Sequence, residues 1–280
     1  KFSQNGLPLV HLYYQNDDGG PGYGKDSRVH FVAPEDGDYV VRLTDVRGMG
    51  GKDFAYRLGI REPQPDFRLS ADPDHPNIPA GGVVPVTVEA LRMDDFDGPI
   101  NVEVSGLPPG LHATRGVIGP GTVTTTILLS ADAKAKLDSA VPLTITGTSG
   151  KLVHQANPGD RLMLAALMPP ADIAVSTVIK ELNLKPGGRV EIPVSVVRQN
   201  GFRGRVPLEV RNLPDRVLVP DVGLNGVLIN ENENEHTVVL EALPNCPPLE
   251  QLIYVAGDVE TRSSLPTTQA SPQAILLKVK

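Results

Sequence analysis

The chain has 280 residues, of which 28 are Gly and 27 are Pro, about one position in five against roughly one in eight in average proteins. Breakers at that density exclude a long-helix protein, while 40% hydrophobic and 21% charged residues keep the chain in the globular range. Lys and Arg number 26 against 33 Asp and Glu, a formal charge of -7, so nothing is in excess to neutralise a phosphate backbone and nucleic acid is not an expected partner.

Taken from the start, nine of the twelve Phe and Tyr residues fall within the first 67 positions. Period-two alternation over Val29–Phe31, Tyr39–Leu43 and Phe54–Ile60 predicts three half-buried strands, separated by the Asp- and Gly-rich turns of residues 34–38 and 47–53. Gly19 to Lys25 has the spacing G-x-x-x-x-G-K, but Asp26 stands where a magnesium-binding hydroxyl is required, so the segment reads as a hairpin loop. Beside it, Asn16, Asp17, Asp18 and Asp26 gather hard oxygens of the kind calcium takes, with turn capping as the competing role. Tyr13, Tyr14 and Tyr23 are the candidates for stacking on a sugar ring. Pro63 and Pro65 then stiffen a polar linker, which closes a first domain at 1–64.

Beyond the linker, a shift of 106 aligns residues 66–109 with 172–215 without a gap, and 14 of the 44 pairs are identical. The identities include Gly81-Gly82 with Gly187-Gly188, Arg92 with Arg198, Phe96 with Phe202, Gly98 with Gly204, and Leu107-Pro108 with Leu213-Pro214. A later match, Thr126–Leu129 with Thr237–Leu240, needs a shift of 111. The extra residues are expected in a mobile acidic loop around Asn230–Glu235. Each copy carries apolar residues at every second position: Val84, Val86, Val88 and Ile100, Val102, Val104, then Val190, Ile192, Val194 and Val206, Leu208, Val210. That pattern and a length near 100 residues predict antiparallel, immunoglobulin-like sandwiches at 66–170 and 171–280, with Phe96 and Phe202 as large core pieces. Residues 160–168 fit either one or two helical turns or the closing strand of the first copy. Their apolar run, Leu162–Met168, is far short of a membrane span.

The run Asp26–Asp45, with Asn16-Asp17-Asp18 ahead of it and Arg47-Gly48 and Tyr56–Leu58 behind, resembles the second half of a bacterial pre-peptidase C-terminal domain. That family comprises β-sandwich accessory modules of secreted enzymes and surface proteins. The first strands of such a domain would precede Lys1, so the resemblance implies a truncated jelly-roll-like sandwich. The two repeats, through Gly201–Gly204 and Leu213-Pro214, are similar to bacterial immunoglobulin-like units of large exported proteins of planctomycete type. The fold class implied is all-β: a truncated jelly-roll-like β-sandwich followed by two tandem immunoglobulin-like β-sandwiches.

Nothing in the sequence points to a reaction. The six His are scattered without metal-ligand spacing, no G-x-S-x-G elbow occurs, and the lone Cys246 can form neither an intramolecular disulfide nor a thiolate cluster. Paired carboxylates such as Asp94-Asp95 give no sequence reason for an altered pKa. The expectation is a non-catalytic spacer or adhesion segment, extracellular, at the cell surface or periplasmic, with no required cofactor beyond possible calcium. Its partners would be other domains of the parent chain and a cell-surface protein or polysaccharide. The alternative is a ligand-binding accessory region of a secreted hydrolase.

Overall fold

The computed structural model describes residues 14–19, 25–157, 162–220, 222, 226–259 and 267–280, and no helix occurs among them. The chain groups into two compact units, Lys1–Asp66 with Met93–Phe96, and Phe67–Arg92 with Asp97–Lys280.

In the first unit the alternating segments do not form strands. Residues 25–65 contain none, and no residue among them is buried. Val40 is 92% exposed, Val46 82% and Ile60 78%. Alternation supplies a strand with two faces, but a strand exists only as one half of a hydrogen-bonded ladder. The backbone bonds within this segment are local instead, Gly48 N–H to the Asp45 carbonyl at 2.8 Å and Phe54 N–H to the Gly51 carbonyl at 3.1 Å. The expected turn chemistry is present. Asp45 Oδ1 accepts the Arg47 N–H at 2.9 Å and the Met49 N–H at 3.3 Å, and Gly48 has φ 70.

Among the described residues the second unit holds twenty strands, counting Asp66 and Met93 at their ends. The first ten are β1 (Asp66–Asp72), β2 (Asn77–Pro79), β3 (Val83–Met93), β4 (Ile100–Ser105), β5 (Leu111–Ala113), β6 (Gly116–Ile118), β7 (Thr124–Ala131), β8 (Val141–Ser149), β9 (Leu152–Gln155) and β10 (Met163–Met168). The next ten are β11 (Ile173–Ser176), β12 (Glu181–Leu184), β13 (Arg189–Arg198), β14 (Val206–Arg211), β15 (Val217–Leu218), β16 (Val227–Ile229), β17 (Glu235–Ala242), β18 (Leu249–Val259), β19 (Thr267–Ala270) and β20 (Ile275–Val279). One sheet runs β1-β3-β7-β5 and its companion β2-β10-β8-β4-β6, with β9 on β8; the other two repeat this order ten strands later. The first order is A-B-E-D and the second contains C-F-G, the arrangement of immunoglobulin-like sandwiches. Within the segment left open between helix and strand, Met163–Met168 is the closing strand, β10, because Met163–Ala165 pair with Leu143–Val141.

The sheets are not wholly antiparallel. β10 runs parallel to β2, and β20 parallel to β12. The opening strand changes sheets part-way: β1 lies beside β3, and after Pro73 and Pro76, which cannot donate to a ladder, β2 lies beside β10.

Eight of the twelve predicted inward positions are buried, Val86, Val88, Ile100, Val102, Ile192 and Val206 at 0% exposed, while Val84, Val104, Val190 and Val210, at the ends of their runs, are only half-buried. Phe96 and Phe202 are a correction, because both are only half-buried. The largest fully buried side chain is Phe67 on β1, whose ring meets His154 edge-on at 4.9 Å. Phe202 packs at the margin of its core, and a Cβ on Gly204 would meet its ring at 2.8 Å.

Two glycines let the cores close. A Cβ on Gly147 would stand 2.4 Å from Leu69 Cδ1 and 2.9 Å from Ile100 Cγ2, and one on Gly257 would stand 2.9 Å from Val206 Cγ1 and 3.0 Å from Val175 Cγ2. The neighbours correspond under the 106-residue shift, Leu69 with Val175 and Ile100 with Val206. Gly147→Ala and Gly257→Ala are each expected to destabilise their sandwich by about 1–3 kcal/mol through overpacking, read as a lower thermal midpoint. An unchanged midpoint would show that the facing methyl groups swing aside.

Candidate functional site

The repeated polar residues hold backbone. Arg92, at the end of β3 with its side chain 13% exposed, donates from Nη1 to the Gly98 carbonyl at 2.7 Å, from Nη2 to Gly119 at 2.6 Å and from Nε to Thr122 at 3.1 Å. Arg198 donates to the carbonyls of Gly204 at 2.9 Å, Asn230 at 2.7 Å and Glu233 at 2.6 Å. These are the same positions in the second copy: Gly98 and Gly204 differ by 106, while Gly119 and Asn230, and Thr122 and Glu233, differ by 111. The planar guanidinium thus joins two loops at one end of each sandwich.

The same correspondence corrects the position of the insertion. The loop between β6 and β7 and that between β16 and β17 have equal length, and Arg198 grips the latter. The extra residues lie between β15 and β16, at 219–226. The acidic residues drew attention to Asn230–Glu235, but a clamped loop cannot change length without losing its carbonyl positions.

A second cluster belongs to the first unit. Asp94, 8% exposed and at φ 50, accepts the Gln64 N–H at 2.8 Å and Arg61 Nη1 at 2.6 Å on Oδ2, and Arg28 Nη2 on Oδ1. The Gln64 amide, then the Arg61 guanidinium, hold its carboxyl down at about 2. Such a group is a fixed anion and a poor general base. This corrects the expectation that Asp94, beside Asp95, is an ordinary exposed carboxylate, although its partner in the repeat gives a signal. Asn200, 106 residues on and at φ 51, donates from Nδ2 to the Pro170 carbonyl at 2.9 Å, so Asp or Asn at this place ties down the segment preceding its copy. Because the folded pKa of Asp94 is depressed, its contribution is complete above pH 4 and is lost as pH falls from about 4 to 2. The loss should be about 1–2 kcal/mol, allowing for the half-exposed Arg61. Asp94→Asn is expected to flatten this acid limb of urea unfolding followed by tyrosine emission, since five of the six Tyr precede residue 67.

The residues proposed for calcium are all exposed, and two of them are engaged locally. Asn16 Oδ1 accepts the Arg28 N–H at 2.8 Å, and the Asp17 carbonyl accepts the Ser27 hydroxyl. Among the described residues no three His, Cys, Asp or Glu are gathered as a metal-binding group, Asp17, Asp18 and Asp26 included. Of the candidate stacking residues, Tyr13 and Tyr23 lie outside the described residues. Tyr14 meets Phe31 at 4.8 Å, and Phe31 meets Tyr39 at 4.9 Å, both edge-to-face. Cys246 is buried, with its thiol facing the Asp215 and Pro247 carbonyls. Two shallow depressions line the second sandwich, one along Ser195–Arg198 with Asn234 and Glu235, the other between Pro207–Val210 and Val227.

Paired sandwiches of immunoglobulin-like strand order, with guanidinium-clamped loops, define an all-β tandem module. No helix among the described residues is long and apolar enough to cross a membrane. No family model matches the chain, and no curated protein does. Among solved structures, domains 4 and 5 of the S-layer protein SbsC align at 12% identity and a TM-score of 0.25, covering 50% of this chain and 66% of that one. Domains 4–9 of the same protein align at 13% and 0.31, covering 77% and 31%. The fibronectin(III)-like modules of Clostridium thermocellum CbhA align at 10% and 0.23, covering 75% and 92%. The chain therefore spans less than two thirds of either SbsC structure, and its class is defined by its own strand order.

Proposed function

We propose that the chain is a non-catalytic spacer or adhesion segment of an exported bacterial surface or secreted protein, divided into a partial pre-peptidase C-terminal-like domain at 1–64 and immunoglobulin-like domains at 66–170 and 171–280. The observation that carries this reading is the duplicated use of Arg92 and Arg198 to hold backbone carbonyls. What the repeat preserves in both copies is scaffold. Export, and an extracellular, surface or periplasmic location, rest on the family resemblance of residues 16–58. The test is incubation of the chain with envelope polysaccharides and proteins, measuring both bond cleavage and saturable binding. The spacer reading expects no turnover; turnover that survives purification would overturn it.

The accessory-module reading draws support from exposed Tyr14 beside Phe31 and Tyr39. Saturable polysaccharide binding that Tyr14→Ala abolishes would favour it over the spacer. Calcium at Asn16, Asp17, Asp18 and Asp26 rests on the hard-oxygen content of that segment. Ion binding there would raise the melting temperature of the first unit with calcium concentration. Calorimetric titration is expected to show heat in the wild type and less in Asp17→Ala; no heat, or equal heats, removes the site.

A further inference from the structure

Within the second unit, the two sandwiches touch through outward faces. Val83 of β3 and Leu128 of β7 form one apolar cluster with Tyr254 and Ala256 of β18 and Ala270 of β19, and none of the five is more than 7% exposed. Beside them a Cβ on Gly82 would stand 3.2 Å from Gln269 Oε1. The contact is heterologous: the first sandwich contributes the outer face of its β1-β3-β7-β5 sheet, the second the outer face of the sheet containing β18. Contacts of that kind propagate into open chains of subunits whenever each copy offers both faces.

Strand register shows what each sandwich carries on its other outer face. Val83 pairs with Ser130, and Arg189 pairs with Glu241, so Arg189 occupies the place of Val83 in the second sandwich. Arg189 and Glu241 form an ion pair at 2.6 Å. Tyr254 pairs with Arg211, and Thr144 with Ser105; Ala256 pairs with Ala270, and Thr146 with Gln155. The first sandwich therefore carries Thr144, Thr146 and Gln155 where the second carries Tyr254, Ala256 and Ala270. Covering the Arg189–Glu241 pair with those neutral side chains would desolvate two charges with no new charge to offset the loss of water.

We infer that the docked sandwiches form a self-terminating pair: the surface that joins them fits only each other, and neither of the opposite outer faces admits another copy head to tail. Leu128 is matched by Val239, also apolar, so the specificity lies in Val83 on one side, and in Tyr254, Ala256 and Ala270 on the other.

Two experiments on the whole chain test this. Hydrogen exchange of Leu128→Arg should be faster in β18 and β19, strands that the substitution does not touch, while β12 and β20 keep their protection. Ala256→Arg reads the contact from the other side, through β3 and β7, should Leu128→Arg fail to fold. Unchanged exchange in the facing strands would overturn the inference. The second experiment rebuilds both faces with Arg189→Val, Glu241→Ser, Thr144→Tyr, Thr146→Ala and Gln155→Ala, and compares sedimentation with that of the wild type over a range of concentrations. The rebuilt chain is expected to associate progressively beyond the wild type, and variants with only one face rebuilt are not. Association no greater than that of the wild type would show that these residues do not govern the contact.

Discussion

Phe67→Ala is expected to cost about 3–5 kcal/mol, because the ring is 0% exposed and its removal leaves a cavity between β1 and the strands around Gly147. Phe202→Ala should cost about half that or less, since its ring is half-buried and rests on Gly204 at the core margin. Urea unfolding followed by circular dichroism measures both changes, because every strand among the described residues lies in the two sandwiches or their Asp66 and Met93 ends. Equal losses would place Phe202 in the core after all.

The second large effect is that of Arg92→Ala, about 2–4 kcal/mol. Three backbone carbonyls lose a charged donor together, and each such bond contributes about 1.5–3 kcal/mol before losses that are not additive. Arg92→Lys should recover only a minor part, because an ammonium lacks the planar fork that reaches Gly98, Gly119 and Thr122 at once. Arg198→Ala should behave alike in the second sandwich. If Lys restored full stability, the arginine would be acting through charge alone.

The sandwiches were legible in the sequence because their signals are local. Alternation placed Val86, Ile100, Ile192 and Val206 inward, and the 106-residue shift exposed the duplication that the strand order displays. Phe96 and Phe202 misled for the opposite reason: identity between copies marks any shared role, and for Phe202 that role is a ring laid on Gly204 at the core margin. The true core aromatic, Phe67, is matched by Ile173 and left no identity to notice. The strands expected between Val29 and Ile60 failed because pairing is a property of two segments, and alternation within one of them carries no information about its neighbour. Asp94 was hidden similarly, since its environment is made by Arg28, Arg61 and Gln64, which are distant in sequence.

The hairpin that joins β8 to β9 turns on Gly150 and Lys151, with Gly150 at φ 57, whereas seven residues, 260–266, separate the corresponding β18 and β19. Lengthening a connection from two residues to seven costs only about 1 kcal/mol of chain entropy, since each doubling adds about 0.6. The tip at Gly150-Lys151 is therefore a natural port for cargo. An epitope or affinity peptide of five residues grafted there would match a length the sister hairpin already carries, and would leave the guanidinium clamp of Arg92 undisturbed.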